Sequence, residues 1–177
     1  MISRMPGGDV GRTSMSTAML FAQPSRVPAQ FFTEQHALGR RPGQLEASTV
    51  MARALFDANG QREVLLDKLP MLMMPTLVVW GGCDYVLPVA QAQAAVDRLP
   101  DGRLALLADC GHLPDVECPD RFATVLSTWL AEHPDPWLHQ WVVFESAFVP
   151  AAHDDWAVAR ERLAEALELN RRSGFPA

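Results

Sequence analysis

"PTLVVWGGCDYVLP", Pro75 to Pro88, decides the fold class. A continuous apolar run rich in β-branched residues lies between Pro75 and the Gly81–Gly82 pair, the pattern of a strand buried on both faces. Pro88 then opens a predicted helix through Leu99, with Ala92, Val96 and Leu99 on its inner side. "RLALLAD", Arg103–Asp109, reads as a second buried strand. Pro119 opens a second helix in which Phe122, Val125, Leu126, Trp129 and Leu130 fall on one face. Strand, helix, strand, helix makes a parallel α/β unit, because parallel strands need a crossover connection.

Outward from this unit the signals are weaker. Residues 1–25 mix Gly, Ser, Thr, Pro and Met without a period and read as poorly ordered. A helix is predicted from Pro28 to Leu38, stopped by Gly39, and another from Gln44 to Ala58, stopped by Asn59–Gly60. The second places Leu45, Val50, Met51, Ala54, Leu55 and Ala58 at helical spacing, and a turn of helix follows around Glu63–Leu69. After Ala131 comes a Pro-rich break. Trp141–Val149 is ambiguous between strand and helix, and Asp154–Arg171 reads as an amphipathic helix. Trp156, Leu163 and Leu167 form its apolar face, with Glu168 and Arg172 as an i,i+4 pair. The chain therefore divides into 1–25, a helical segment 26–74, an α/β core 75–131, and a linker with a C-terminal helix 132–177.

Composition bounds the function. The chain has 177 residues, 49% hydrophobic and 20% charged, enough apolar mass for a core. A net charge of −6 with scattered Lys and Arg argues against nucleic acid, whose phosphates need clustered cations. No apolar run approaches a bilayer span, and the patch at Ala18–Ala22 is too short for a signal-peptide core, so the expected setting is cytoplasmic, without a membrane partner. Three cysteines without a regular framework fit a reducing compartment. Cys110, His112 and Cys118 match no zinc-binding spacing, so no metal and no cofactor is expected.

Two loops can carry chemistry, since functional groups in parallel α/β sheets gather at the carboxyl ends of strands. One places Asp84 just after the first strand. The other, "DCGHLP", places His112 just after the second. On adjacent strands the two side chains emerge at one edge, where Asp can accept the Nδ1 proton of His and leave Nε2 as a base. The bland alternative is a structural loop histidine. Asp109 rivals Asp84 as the acid. Glu117 reads as structural, a carboxylate near the positive end of a helix, and Cys83 and Cys110 as small thiols without a role. His36, His133, His139 and His153 read as surface residues, and Met71, Met73 and Met74 as adaptable packing.

Taken together, Pro75, Thr76, Leu77, Gly81, Asp84 and Pro88, then Gly111, His112, Pro114, Glu117, Pro119 and Phe122, resemble the C-terminal half of α/β-hydrolase-fold proteins. The resemblance runs from about Leu65 to Leu130, and more weakly through the helices from Pro28, which look like part of a lid. It implies a partial α/β-hydrolase fold: a short parallel sheet of the last two strands, flanking helices and a helical lid segment. It also implies Asp84 as the triad acid and His112 as the general base. The nucleophile elbow G-x-S-x-G does not occur in residues 1–83. The intact enzyme implied by the family hydrolyses a small apolar ester, or a C–C bond in a β-diketone-like acid. This chain, supplying only acid and base, is expected to be inactive alone. The competing readings are a degenerate remnant acting as an interaction protein, self-associating through an exposed sheet edge, and an enzyme using the His112–Asp84 pair without a nucleophile. Trp141–Val149 as an extra strand, with the terminal helix over it, is the expected cover for that edge.

Overall fold

The computed structural model describes residues 17–58, 60–146 and 155–173. Most of the expected unstructured start, along with His153 and the end of the Trp141–Val149 stretch, lies outside them. Helix α1 spans Ala29–Gly39 and α2 spans Gln44–Leu55. A two-residue hairpin follows, β1 (Phe56–Asp57) against β2 (Gly60–Gln61), then a 3-10 segment over Leu66–Met71. The central unit is β3 (Thr76–Gly81), α3 (Ala90–Val96) and β4 (Gly102–Leu107). One turn of helix, α4 (Pro114–Glu117), leads into α5 (Pro119–Glu132), and α6 (Pro136–Ser146) and α7 (Trp156–Ser173) complete the chain.

Strands β3 and β4 pair in parallel, from Thr76 opposite Gly102 to Gly81 opposite Leu107. The expected parallel α/β unit is present, with Ala92 of the crossover helix and Leu99 just after it buried. A core forms where Leu107, Cys110 and Cys118 meet Val79, Phe122 and Val125. At the far end of α5, Trp129 is buried with Arg103 over its ring and His133 stacked against it at 3.8 Å. The arginine side chain also pairs with Glu132, so one cation serves both a π-face and a carboxylate.

Several expectations are corrected. Helix α2 ends at Leu55 rather than Ala58, because Phe56 turns to extended backbone (φ −130°, ψ 152°) and starts the hairpin. Its apolar residues face outward: Leu45 is 80% and Val50 62% exposed. Strand β3 is half-buried rather than covered on both faces, since the sheet has only two strands among the described residues. The Trp141 stretch enters α6, a helix and not a strand, and the tail packs on α5 and on itself instead of along the sheet. In α7 the small Ala159 and Ala166 are buried while Leu163 and Leu167 stay exposed: close helix–helix approach selects the small side chains. Glu168 meets Arg171, one turn on, at 3.8 Å.

The N-terminal region supplies the largest correction. Residues 17–25 are not loose: Phe21 is 2% exposed and packs edge-to-face with Phe31 (5.6 Å) and Phe32 (5.9 Å). Burying such a ring is worth about 1.5–3 kcal/mol, with about 0.5–1.5 kcal/mol more per aromatic pair. This anchor holds α1 to the core and brings the 20–23 backbone against the loop that carries His112.

Candidate active site

Asp84 and His112 lie on loops that continue the parallel ladder past its last residues. Gly82 N–H donates to Leu107 O at 2.8 Å and Cys83 N–H to Cys110 O at 2.9 Å, so the loops are tied together where β3 and β4 end. That approach demands glycine. A Cβ on Gly81 would lie 1.9 Å from the Gly111 carbonyl oxygen, and one on Gly111 would lie 2.6 Å from Ala22 N and Leu20 O.

The two side chains meet, with His112 Nδ1 2.9 Å from Asp84 Oδ2. The other oxygen of Asp84 accepts the Val86 and Leu87 amides at 2.8 and 2.9 Å, so the acid also shapes its own loop before Pro88. Its side chain is 4% exposed. Burial pushes the carboxyl up, but the His112 bond and the two amides together outweigh it, and Asp84 stays below the usual carboxylate range. An ionised Asp84 fixes His112 with its proton on Nδ1. Nε2 takes no protein hydrogen bond among the described residues, and the side chain is 29% exposed.

Glu117 does more than sit near a helix end. It is 3% exposed, and its Oε2 accepts the N–H of Gly111 at 2.6 Å and of Ala22 at 3.1 Å, while Oε1 accepts that of Gln23 at 2.5 Å. The His112 N–H in turn donates to Leu20 O at 2.7 Å. One buried carboxylate thereby joins the base loop to the 20–23 segment. The G-x-x-x-x-x-E spacing from Gly111 to Glu117 is visible in the sequence; its amide partners from Ala22 and Gln23 are not.

Asp109 is no rival acid. It pairs with Arg26 and Arg121 on the surface, and these guanidinium groups hold it down at about 2. Asp115 lies close enough to His112 to feel its charge, and burial raises its carboxyl. Cys110 and Cys118, expected as free thiols, form a disulfide, leaving Cys83 as the free cysteine. The sulfurs and an Asp109 oxygen lie within 4.8 Å of one another, but the bond between the sulfurs removes them as metal ligands.

A model described as the alpha/beta hydrolase family matches residues 3–125. The dihydrolipoyllysine-residue acetyltransferase component of the acetoin cleaving system from Cupriavidus necator is 32% identical over 63% of this chain and 29% of its own length. A 2-hydroxy-6-oxononadienedioate/2-hydroxy-6-oxononatrienedioate hydrolase from Pseudomonas sp. is 32% identical over 42% of this chain and 26% of its own. The solved 2-hydroxy-6-oxo-6-phenylhexa-2,4-dienoate hydrolase from Rhodococcus sp. superposes with a TM-score of 0.59 at 18% identity, covering 67% of this chain and 43% of that one. The chain thus spans less than half the length of each. With the family match extending over most of its residues, the chain belongs to the alpha/beta hydrolase family.

Proposed function

We propose that this chain carries the acid and base of a serine hydrolase, Asp84 and His112, and that the nucleophile comes from polypeptide outside these 177 residues. The observation that carries the reading is the 2.9 Å Asp84–His112 pair at the carboxyl ends of adjacent parallel strands, with Nε2 taking no protein hydrogen bond among the described residues. In the completed site His112 takes the serine proton as it attacks and returns it to the leaving group, while Asp84 stabilises the imidazolium. No cofactor or metal enters. The substrate is a small apolar ester or, favoured by the 2-hydroxy-6-oxo acids in the names of two relatives, a C–C bond beside a ketone. No nucleic acid or membrane partner is involved, and no helix among the described residues is long and apolar enough to cross a membrane. The Cys110–Cys118 disulfide departs from the reducing, cytoplasmic setting that the odd cysteine count suggests.

The half-buried β3 edge favours a second reading, a remnant that self-associates there. One experiment separates the two. The coding sequence upstream of Met1 is translated in frame, and the extended chain is assayed with p-nitrophenyl esters and 2-hydroxy-6-oxo dienoates. A G-x-S-x-G elbow, and turnover lost by roughly a thousandfold or more in His112→Ala, support the hydrolase. A closed frame, with a discrete oligomer of the 177-residue chain, overturns it in favour of the remnant.

A further inference from the structure

The Cys110–Cys118 bond closes a ring around Gly111, His112 and Glu117. Everything that holds the base loop in place belongs to this ring or touches it: the Gly111 amide on Glu117, the His112 amide on Leu20 O, and the Nδ1 contact with Asp84. Both cysteines are buried, Cys110 completely and Cys118 to within 8%. Two independent features then single out Cys118. It is the N-cap of the 14-residue helix α5, and its Sγ lies 3.7 Å from Arg26 Nη1. A sulfur released there sits beside a guanidinium at the start of a helix, surroundings that suit a leaving thiolate.

We propose that Cys110–Cys118 is a reversible redox clamp on the base loop, closed when His112 is held against Asp84 and opened by a dithiol reductant. Both sulfurs are buried in the closed state, so a local opening of the loop comes first, and one thiolate of the dithiol then attacks Cys110 Sγ. The Cys110–Cys118 bond breaks and its electron pair leaves on Cys118 Sγ. The second thiol of the reductant then attacks the mixed disulfide and releases Cys110. The two cysteines take up the two protons given up by the dithiol, which departs as its cyclic disulfide, two electrons having passed to the protein. A small disulfide such as oxidised glutathione reverses the sequence and is itself reduced to two thiols. Opening the ring frees a loop that is otherwise held by the Gly111–Glu117 bond within it and by single bonds to Leu20 and Asp84 outside it, so the amides at its centre should lose protection first. The clamp acts on the loop itself and does not depend on the hydrolase reading.

The test uses the whole chain purified without reductant. Alkylation under denaturing conditions, counted by mass, should give one label, on Cys83, before dithiothreitol treatment and three after it. Hydrogen exchange of the Gly111 and His112 amides should quicken at least about tenfold on reduction and return with oxidised glutathione. Cys118→Ser should show the fast exchange without reductant, and Cys83→Ser should behave as the parent. Should Cys118→Ser fail to fold, the reductant titration of the parent decides alone. Three labels before reduction, a bond that dithiothreitol cannot open in the native protein, or exchange unchanged within about twofold after full reduction would each overturn the proposal.

Discussion

Replacing Glu117 by Gln separates two accounts of that residue. If its carboxylate only complements the dipole of the following helix, loss of the charge costs about 0.3–1 kcal/mol. The structure demands more. Oε2 receives two amides and Oε1 one, all from backbone that water does not reach at the carboxylate. A carboxamide keeps one acceptor oxygen. Turned toward Gly111 and Ala22, it retains two bonds as neutral ones, each weaker by about 1 kcal/mol, because bonds to a charged acceptor are worth about 1.5–3 against 0.5–1.5 kcal/mol. Its NH2 group then faces the Gln23 N–H, donor to donor, which adds about 1–3 kcal/mol for the stranded group.

The sum is about 3–5 kcal/mol, a drop in Tm on the order of 10 °C for a chain of this size. Urea and thermal melts of the parent and Glu117→Gln measure it, and amide exchange at Gly111 and Ala22 locates it. A loss under about 1 kcal/mol, or unchanged exchange at both amides, would refute the bridging role and leave only the dipole.

Other perturbations follow from the same packing. Gly111→Ala drives a Cβ into the Leu20 and Ala22 backbone, so it should cost about 1–3 kcal/mol and make the 17–27 segment a site of rapid proteolysis at Arg26. Asp115→Asn should stabilise: burial raises the Asp115 pKa, so its penalty is absent below the ordinary Asp value and grows as pH rises through the folded one. Its Tm gain should therefore be present at pH 7 and vanish near pH 4. Asp109 has the opposite sign. Its pKa of about 2 means stability present above the ordinary 3.8 and lost as pH falls toward 2, and Asp109→Asn should flatten the acid melt in that window. Truncation after Asp135 removes α6 and α7, baring the face of α5 they cover, and should raise binding of a hydrophobic dye. An unchanged dye signal would mean the tail is dispensable.

The parts of the fold legible in the sequence are those fixed by local pattern. The run from Thr76 to Trp80 and the Pro at each helix start set β3, β4, α3 and α5 within a few residues, and two strands joined by one helix necessarily bring Asp84 and His112 to one edge. Local pattern fails where a residue's fate depends on a distant partner. The apolar face of α2 satisfies helical periodicity yet meets solvent, because periodicity says only that a face could be buried. Leu163 and Leu167 are the natural choice for a buried stripe, but the face of α7 that is buried carries Ala159 and Ala166. Phe21 stood in a stretch with no period at all. Its anchoring role needs Phe31, Phe32 and the base loop at once, contacts that span some 95 residues through Ala22 and Glu117.

This distribution bears on how the site could be completed. Asp84 satisfies one oxygen within its own loop and gives the other to His112, and the His112 loop is held by Glu117, by the Leu20 carbonyl and by a covalent ring. None of these contacts calls on a further strand. Among the described residues, the Asp84–His112 pair is thus held by residues 17–27 and 76–122, with the buried carboxylate of Asp84 fully hydrogen-bonded within them. What the described residues leave open is structural: β3 pairs with β4 only, its face half-covered, with the Trp80 indole nitrogen buried and without a partner. A strand added in parallel to β3 would satisfy that edge, its crossover helix would cover a face of the sheet, and its carboxyl end would emerge on the side of Asp84 and His112. If a further strand supplies the nucleophile, edge completion and site completion are one event. Thr76 and Gly82 turn their N–H groups toward the β4 side, so Leu77 turns its own to the free edge, and Leu77→Pro should abolish both the gain in stability and the gain in turnover that such a strand brings, leaving the His112–Asp84 contact intact. Turnover that survived such a block would mean the nucleophile reaches His112 by another route.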